Sequence, residues 1–244
     1  MKAMIFAAGL GTRLAPLTDS CPKALIEVGG KPMLLRAIER LRDAGVSEII
    51  VNIHHHASMI RGYIDGNDFG VAVTVSDESD MLLDTGGGVV KAAPLLRGDG
   101  PVILYNADIF TDFSLVEMVK SHCQSGADVT LLTDDRNTSR YLLFDTAGRM
   151  TGWRNVATGE ERSPYDRSSL ASCRQLAFGG IHVIDPSVID RLVVYRPEGK
   201  FSITPFYIDT CDTLDIRCYT PSESYTWVDI GRPESLARAR ALCV

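Results

Sequence analysis

Nowhere in the 244 residues does an apolar run approach the roughly 18 residues that a membrane-spanning helix needs, and no membrane partner is expected. The first apolar stretch, Met4–Ala8, is short and lacks a following cleavage region, so no secretory leader is expected either. The six cysteines (Cys21, Cys123, Cys173, Cys211, Cys218, Cys243) are scattered and include no C-x-x-C pair. A disulfide framework is not expected in a chain of this size without a leader, and the cysteines read as free thiols of a cytoplasmic protein. Basic runs are missing: 25 Lys+Arg stand against 31 Asp+Glu, for a net charge of −6. That balance argues against a nucleic-acid surface, whereas a local cluster of cations in an acidic chain suits a small anionic ligand. There is no internal repeat, low-complexity tract or linker.

What is present is an alternation. Met4–Ala8, Glu48–Ile53, Val71–Val75, Val102–Asn106 and Asp128–Thr133 read as strands, separated by helical stretches at Met33–Ala44, Ala57–Ile64, Gly88–Leu96 and Leu115–Ser121. Alternating strands and helices imply right-handed crossovers and an α/β fold with a doubly wound, mainly parallel sheet. After Thr133 the pattern changes. Tyr141–Phe144 and Met150–Trp153 flank the turn Asp145-Thr146-Ala147-Gly148, a hairpin signal that predicts a small β-hairpin lobe. The polar stretch Asn155–Ser172 reads as an excursion, Leu176–Ile184 and Leu214–Tyr219 as strands, and Val188–Val194 as a helix. Pro233–Leu242 closes the chain with proline in its first turn. One domain over residues 1–244 is expected, with a core over 1–133, a second part over 134–232 and a closing helix over 233–244.

The stretch AAGLGTRLAPLTDSCPKAL carries the first functional signal. Gly9 and Gly11 follow an apolar strand, so their backbone N–H groups can approach an anion closely, and successive N–H groups in a turn form an anion-binding concavity. Arg13 and Lys23 add full charges. The stretch is not a dinucleotide fingerprint, because Leu14 stands where G-x-G-x-x-G needs its third glycine, and it contains no G-x-x-x-x-G-K-[ST]. Pro16 discourages an immediate helix, so the loop runs on to a helix starting near Pro32. Phosphate is the ligand this pattern suits.

Leu83-Asp84-Thr85-Gly86-Gly87-Gly88 is the second unusual stretch: three glycines leading into a helix would offer unpaired N–H groups and the positive helix end. Asp108 closes one apolar strand and Asp229 follows another apolar stretch near the C-terminus. Two carboxylates from distant segments converging near phosphates suit a hard cation such as Mg²⁺. His54-His55-His56 does not suit zinc, because adjacent side chains do not converge on one tetrahedral ion and the spaced Cys/His ligands are missing. In an open α/β sheet ligands sit beyond the carboxyl ends of the strands, and the glycine loop, the histidines and Asp108 all fall on that edge.

Ala7-Ala8-Gly9-Leu10-Gly11-Thr12-Arg13-Leu14 with Pro22-Lys23-Ala24-Leu25 resembles the signature of sugar-1-phosphate nucleotidylyltransferases, and the resemblance continues through Gly29-Gly30-Lys31-Pro32-Met33, Asn106-Ala107-Asp108 and Trp227-Val228-Asp229-Ile230-Gly231. Within that family the stretch Leu83–Gly88 and the short C-terminus look most like the N-acetylmuramate-1-phosphate uridylyltransferase branch. The resemblance implies an enzyme that joins a nucleoside triphosphate to a sugar 1-phosphate with release of pyrophosphate. It assigns Arg13 to the departing pyrophosphate, Lys23 to the reacting phosphates, and Asp108 and Asp229 to Mg²⁺. Backbone at Ala8, Gly9, Gly86 and Gly87 would frame base and ribose, with Gly11, Thr12 and Thr85 in the same loops. Asn106 and Gly180 would face the sugar. Where many relatives carry a Glu-Lys-Pro segment whose lysine grips the sugar phosphate, this chain has Gly152-Trp153-Arg154-Asn155, so Trp153, Arg154 and Asn155 are expected at the sugar phosphate, with Arg154 in the lysine's role. Ala24 and Ala107 are mild departures from the family pattern. The expected substrates are UTP and N-acetylmuramate 1-phosphate, with mannose 1-phosphate and GTP, phosphocholine and CTP, or a non-catalytic nucleotide-binding subunit as alternatives. Neither a nucleic acid nor a membrane is an expected partner, and the chain would act as a monomer or small homo-oligomer.

Overall fold

Residues 1–243 are described by a computed structural model, and the last residue of the expected closing segment, Val244, lies outside them. The chain begins with β1 (Lys2–Phe6), a two-residue ribbon β2–β3 (Glu27–Val28, Lys31–Pro32), α1 (Met33–Asp43), β4 (Glu48–Ile53), α2 (Ala57–Asp65) and β5 (Ala72–Asp77). It continues through α3 (Asp84–Leu96), β6 (Val102–Asn106), β7 (Ile109–Thr111), α4 (Leu115–Ser125) and β8 (Val129–Asp134). Then come β9 (Arg140–Phe144), β10 (Met150–Asn155), β11 (Glu160–Arg162), β12 (Arg174–Ile184), α5 (Pro186–Tyr195), α6 (Ile203–Thr210), β13 (Ile216–Tyr219), β14 (Trp227–Asp229) and α7 (Pro233–Ala241).

β1 sits in the middle because its apolar residues face neighbours on both sides: Ala3, Met4 and Ile5 are wholly buried. It pairs in parallel with β4 and β6, and β4 with β5. β12 joins β6 antiparallel, β8 joins β12 antiparallel, and β13 joins β8 in parallel. Of these seven strands only β12 opposes the common direction, so the mainly parallel sheet expected from the alternation is present. Helices cover both faces. Leu34, Ile38, Ile60 and Leu115 of α1, α2 and α4 pack on one side, and Val89, Val188, Leu192 and Phe206 of α3, α5 and α6 on the other. No helix of the described residues is long and apolar enough to cross a membrane.

The expected hairpin forms from β9 and β10, with Asp145 Oδ1 accepting from the N–H groups of Ala147 (2.8 Å) and Arg149 (2.9 Å). It extends to β11 inside the Asn155–Ser172 excursion, and the first residues of β12 pair with β9. Some elements were not expected. α6 forms despite Pro205, which falls in its first turn where a missing N–H removes no helical bond. β7 and β14 form a ribbon from segments more than a hundred residues apart. α3 also begins at Asp84 rather than Gly88, so the three glycines lie inside it.

Along β12 the pairing with β8 slips between Phe178 and His182, and Gly180 there has φ 75°. His182 is buried against the Phe178 ring (4.7 Å between centroids) and its Nδ1 shares a 2.8 Å hydrogen bond with the Tyr207 hydroxyl. Burial holds its pKa down from the ordinary 6.5 to about 3. The folded protein therefore leaves His182 neutral where the unfolded chain binds a proton, so stability falls as pH drops from 6.5 toward 3 and is unaffected by this group above 6.5. Urea unfolding followed between pH 7.5 and 5 should show a loss of on the order of 1 kcal/mol per unit below 6.5. His182→Gln should flatten that slope; an unchanged slope would assign it to other groups.

Candidate active site

The site lies where β1, β4 and β6 end. Asn52, at the end of β4, accepts from the Ala7 N–H through Oδ1 (2.8 Å) and donates from Nδ2 to Glu78 Oε1 (2.7 Å). The other Glu78 oxygen accepts from the Leu83 N–H (3.2 Å). A fully buried carboxylate thus ties the first glycine loop to the turn before α3. Burial pushes the Glu78 pKa up, while the Asn52 and Leu83 donors pull it back. His54 contributes to the frame rather than to chemistry, its Nδ1 lying 2.6 Å from the Glu78 carbonyl oxygen.

Beyond Ala8 the chain turns at Gly11, whose φ of 67° and 3.0 Å hydrogen bond from the Thr18 hydroxyl to its carbonyl fix the loop. Leu14 is buried with Val28, Met33, Val228 and Leu236, anchoring the loop while Arg13 stays exposed. A cavity of about 420 Å³ opens here. Its wall includes Ala8, Gly9, Gly11, Thr12, Arg13 and Lys23 from the first loop, Asp84 and Thr85 from the start of α3, Asn106 and Asp108 from the end of β6, and Lys200. A second cavity of about 650 Å³ adjoins it, with Arg13, Asn106 and Asp108 common to both walls. Its remaining wall includes Asp229, Trp227, Gly180, Trp153, Arg136, Arg140, Glu160, Arg162, Ser202 and Thr204.

The junction holds the charges. The β7–β14 ribbon sets Asp229 opposite Ile109, and the Ile230 N–H donates to the Asp108 carbonyl (3.0 Å), which fixes the two aspartates as neighbours. Lys23 Nζ makes a short ion pair with Asp108 Oδ2 and stands 3.8 Å from Asp229 Oδ1. A Cβ built on Gly231 would lie 2.6 Å from Arg13 Nη2, 2.7 Å from Asp229 Oδ1 and 3.0 Å from Lys23 Nζ. Residues 13, 23, 108, 229 and 231 therefore meet at one point. The donor set of two carboxylates, already converging on one cation, is chemically suited to a hard divalent ion whose shell is completed by phosphate oxygens. Among the described residues no cluster of three or more His, Cys, Asp or Glu could hold a metal unaided.

Four expected site residues are elsewhere. The N–H groups of Gly86 and Gly87 donate to the Phe201 carbonyl (2.9 and 3.2 Å), and their Cα atoms press against the Phe201 ring and the Gly199 carbonyl. These glycines serve close packing of α3 and are not available to a base. Arg154 and Trp153, as strand neighbours, face opposite sides. Trp153 lines the second cavity, whereas Arg154 donates to Glu161 Oε1 (2.6 Å) on the other face. Asn155 accepts from the Ala157 N–H (3.0 Å) and lines neither cavity. Arg136, Arg140, Arg162, Lys200 and Gly231 were not anticipated. Strand alternation around Trp153 could have flagged Arg162, its register partner, and the strand-end rule could have flagged Arg136, two residues past β8.

The chain belongs to the nucleotidyl transferase family, whose model matches residues 2–243. It is 29% identical over 247 residues to the N-acetylmuramate alpha-1-phosphate uridylyltransferase of Caulobacter vibrioides, covering 98% of this chain and 95% of that one. It is 30% identical over 247 residues to a mannose-1-phosphate guanyltransferase of Pichia angusta, covering 99% of this chain, and 27% identical over 246 residues to the mannose-1-phosphate guanylyltransferase catalytic subunit beta of Drosophila melanogaster. The chain spans only 64% and 62% of the length of those two relatives. The fold matches that of HddC from Yersinia pseudotuberculosis, with a TM-score of 0.76 at 22% identity over 99% of this chain and 98% of that one. A solved Bacillus anthracis chain gives a TM-score of 0.80 at 20% identity over 100% and 95%.

One substitution at two glycines separates packing from site geometry. Alanine in a helix interior normally stabilises relative to glycine, but a Cβ at Gly88 would sit 2.9 Å from Glu78 Oε1 and 3.0 Å from Asn52 Nδ2, both buried. Gly88→Ala should lower unfolding free energy by on the order of 1–3 kcal/mol. At Gly231 the obstructing atoms are the far ends of the Arg13 and Lys23 side chains and the Asp229 carboxylate, which accepts from the Gly231 N–H at 2.7 Å, so Gly231→Ala should keep stability within about 1 kcal/mol while weakening nucleoside triphosphate binding. Urea titrations and calorimetric triphosphate binding check both; equal stability loss in the two would overturn the distinction.

Proposed function

We propose that the protein transfers a nucleotidyl group from a nucleoside triphosphate to a sugar 1-phosphate, releasing pyrophosphate. The observation that carries this reading is the pair of adjoining cavities with a common wall of Arg13, Asn106 and Asp108, and with Lys23 and Asp229 at their junction. The triphosphate occupies the cavity of the glycine loop and the sugar phosphate the larger one. An oxygen of the acceptor phosphate attacks the α-phosphorus, the bond from that phosphorus to the oxygen bridging the β-phosphorus breaks, and pyrophosphate departs with the electron pair. The acceptor is already anionic at neutral pH, so no general base is required. The barrier lies in bringing two anions together and in charge building on the leaving group, which positioned cations relieve. Arg13, placed on both walls, faces the leaving pyrophosphate, and Lys23 faces the α-phosphate. Mg²⁺, which Asp108 and Asp229 would hold, neutralises phosphate charge when bound.

For the substrates the reading is UTP and N-acetylmuramate 1-phosphate. It is supported by the match over 95% of the Caulobacter uridylyltransferase and by the size of the second cavity. GTP is the second reading, favoured by the likeness to the Pichia guanyltransferase and by Asp84, which lines the first cavity and could accept from a guanine or cytosine amine.

Pyrophosphate release measured with each of the four triphosphates against N-acetylmuramate 1-phosphate, N-acetylglucosamine 1-phosphate and mannose 1-phosphate tests the assignment. UTP with the N-acetylated acids or hexoses should give the highest kcat/KM; a preference for GTP and mannose 1-phosphate would replace this reading by the second. Lys23→Ala or Arg13→Ala should lower kcat by on the order of 10²-fold with the fold intact. Asp229→Asn should raise the Mg²⁺ concentration needed for half-maximal rate, and turnover in excess chelator would refute the metal assignment.

A further inference from the structure

We infer that Arg136 is the cation that holds the acceptor's phosphate, the role that the sequence pattern had suggested for Arg154; this rests on the sugar-1-phosphate reading above. The case begins with what is unavailable. Arg154 lies on the far face of β10, tied to Glu161, which also takes Arg167. Arg162 faces the cavity but is paired with Asp209 at 3.1 Å. In the reading above Lys23 serves the α-phosphate and Arg13 the leaving pyrophosphate, and Arg140, on the same wall, is exposed to solvent. Arg136 has no carboxylate within ion-pairing distance among the described residues, although it is half-buried.

Its position is built rather than incidental. The slip in β12 leaves two consecutive carbonyls facing the cavity side. Arg136 Nη2 donates to the Phe178 carbonyl (2.6 Å), and Trp227 Nε1 donates to the next, Gly179 (2.9 Å). The guanidinium stacks on the indole, 3.8 Å from the ring centroid. Trp227 and Asp229 lie two apart on β14 and so share a face, which sets Arg136 beside the junction where the acceptor's phosphate must lie for attack. Arg136 Nε is buried and has no hydrogen-bond partner, and Asn106 Oδ1, on the common wall, is in the same condition. Both residues line the second cavity, and a guanidinium with no carboxylate partner there suits a ligand bearing phosphate oxygens. Burial lowers the Arg136 pKa, and Asp134, Tyr225 and Asp229 act against that from longer range; a guanidinium is a cation at neutral pH in proteins.

The test uses the full-length protein with N-acetylmuramate 1-phosphate and mannose 1-phosphate as probes, measured by calorimetric binding and by pyrophosphate release. Wild type should bind each 1-phosphate in preference to the free sugar, and Arg136→Ala should weaken that binding by about tenfold or more while triphosphate affinity changes less than about twofold. Arg136→Lys should recover part of the loss, and added guanidinium should partly rescue Arg136→Ala; a purely structural role through Trp227 would leave the preference for 1-phosphate over free sugar unchanged in Arg136→Ala. Arg154→Ala should match wild type. Equal weakening of both substrates in Arg136→Ala, no discrimination between 1-phosphate and free sugar, or an acceptor-specific defect in Arg154→Ala would each overturn the inference. Arg136-dependent binding of the 1-phosphates without any pyrophosphate release would instead sink the transfer reading and leave this site standing.

Discussion

Everything chemical in this molecule is arranged around the contact of one ammonium group with two carboxylates. Lys23, Asp108 and Asp229 come from segments that the chain separates widely, and each is brought to the junction by a different device. Lys23 rides on a short 3₁₀ turn, Lys23–Leu25, whose Ala24 is buried in the core. Asp108 follows a central strand, and Asp229 arrives on an isolated two-stranded ribbon. Two aspartates this close would repel and loosen the ribbon without a cation between them, so the same charge that suits a phosphate also holds the ribbon's geometry.

A second tier of support lies beneath that junction. The Ala7–Asn52–Glu78–Leu83 chain of hydrogen bonds makes the glycine loop and the start of α3 parts of one frame. Its carboxylate is wholly enclosed, and such a group is tolerable only because both oxygens are occupied. On the other side, the slip in β12 converts two backbone carbonyls into ligands for Arg136 and Trp227. The only strand of the seven that opposes its neighbours also supplies Phe178 and Gly180 to the wall of the second cavity.

Much of this was legible in the sequence. Buried parallel strands announced themselves as short apolar runs, and β4 and β6 have the boundaries that their composition predicts. Arg13, Lys23, Asp108 and Asp229, singled out by residue type and by the family resemblance, come together in the fold. The failures share a cause: they concern which way a residue faces, or what lies against it from far along the chain. Glycines at 86 and 87 look alike whether they greet a ligand or a phenylalanine ring, and only the arrival of Phe201 decides. Arg154 was expected on the cavity side, but its neighbour Trp153 takes that side, and on a strand neighbours face opposite ways. Arg136 sits in an irregular segment with no periodicity to mark it, and Gly231 has meaning only because Arg13 and Lys23 are beside it.

The packing of α3 divides the stretch from Leu82 to Gly88 into positions that can and cannot drift. Gly86, Gly87 and Gly88 are locked by a phenyl ring, a backbone carbonyl and a buried carboxylate, so inherited change there would unsettle the helix before it altered any ligand. Residue 84 is different, because it borders the cavity and touches none of those constraints. Yet its backbone has φ 61°, a region that aspartate, asparagine and glycine enter readily and branched or bulky residues do not. Evolution is thereby left a very small alphabet at a position of this turn that borders the first cavity.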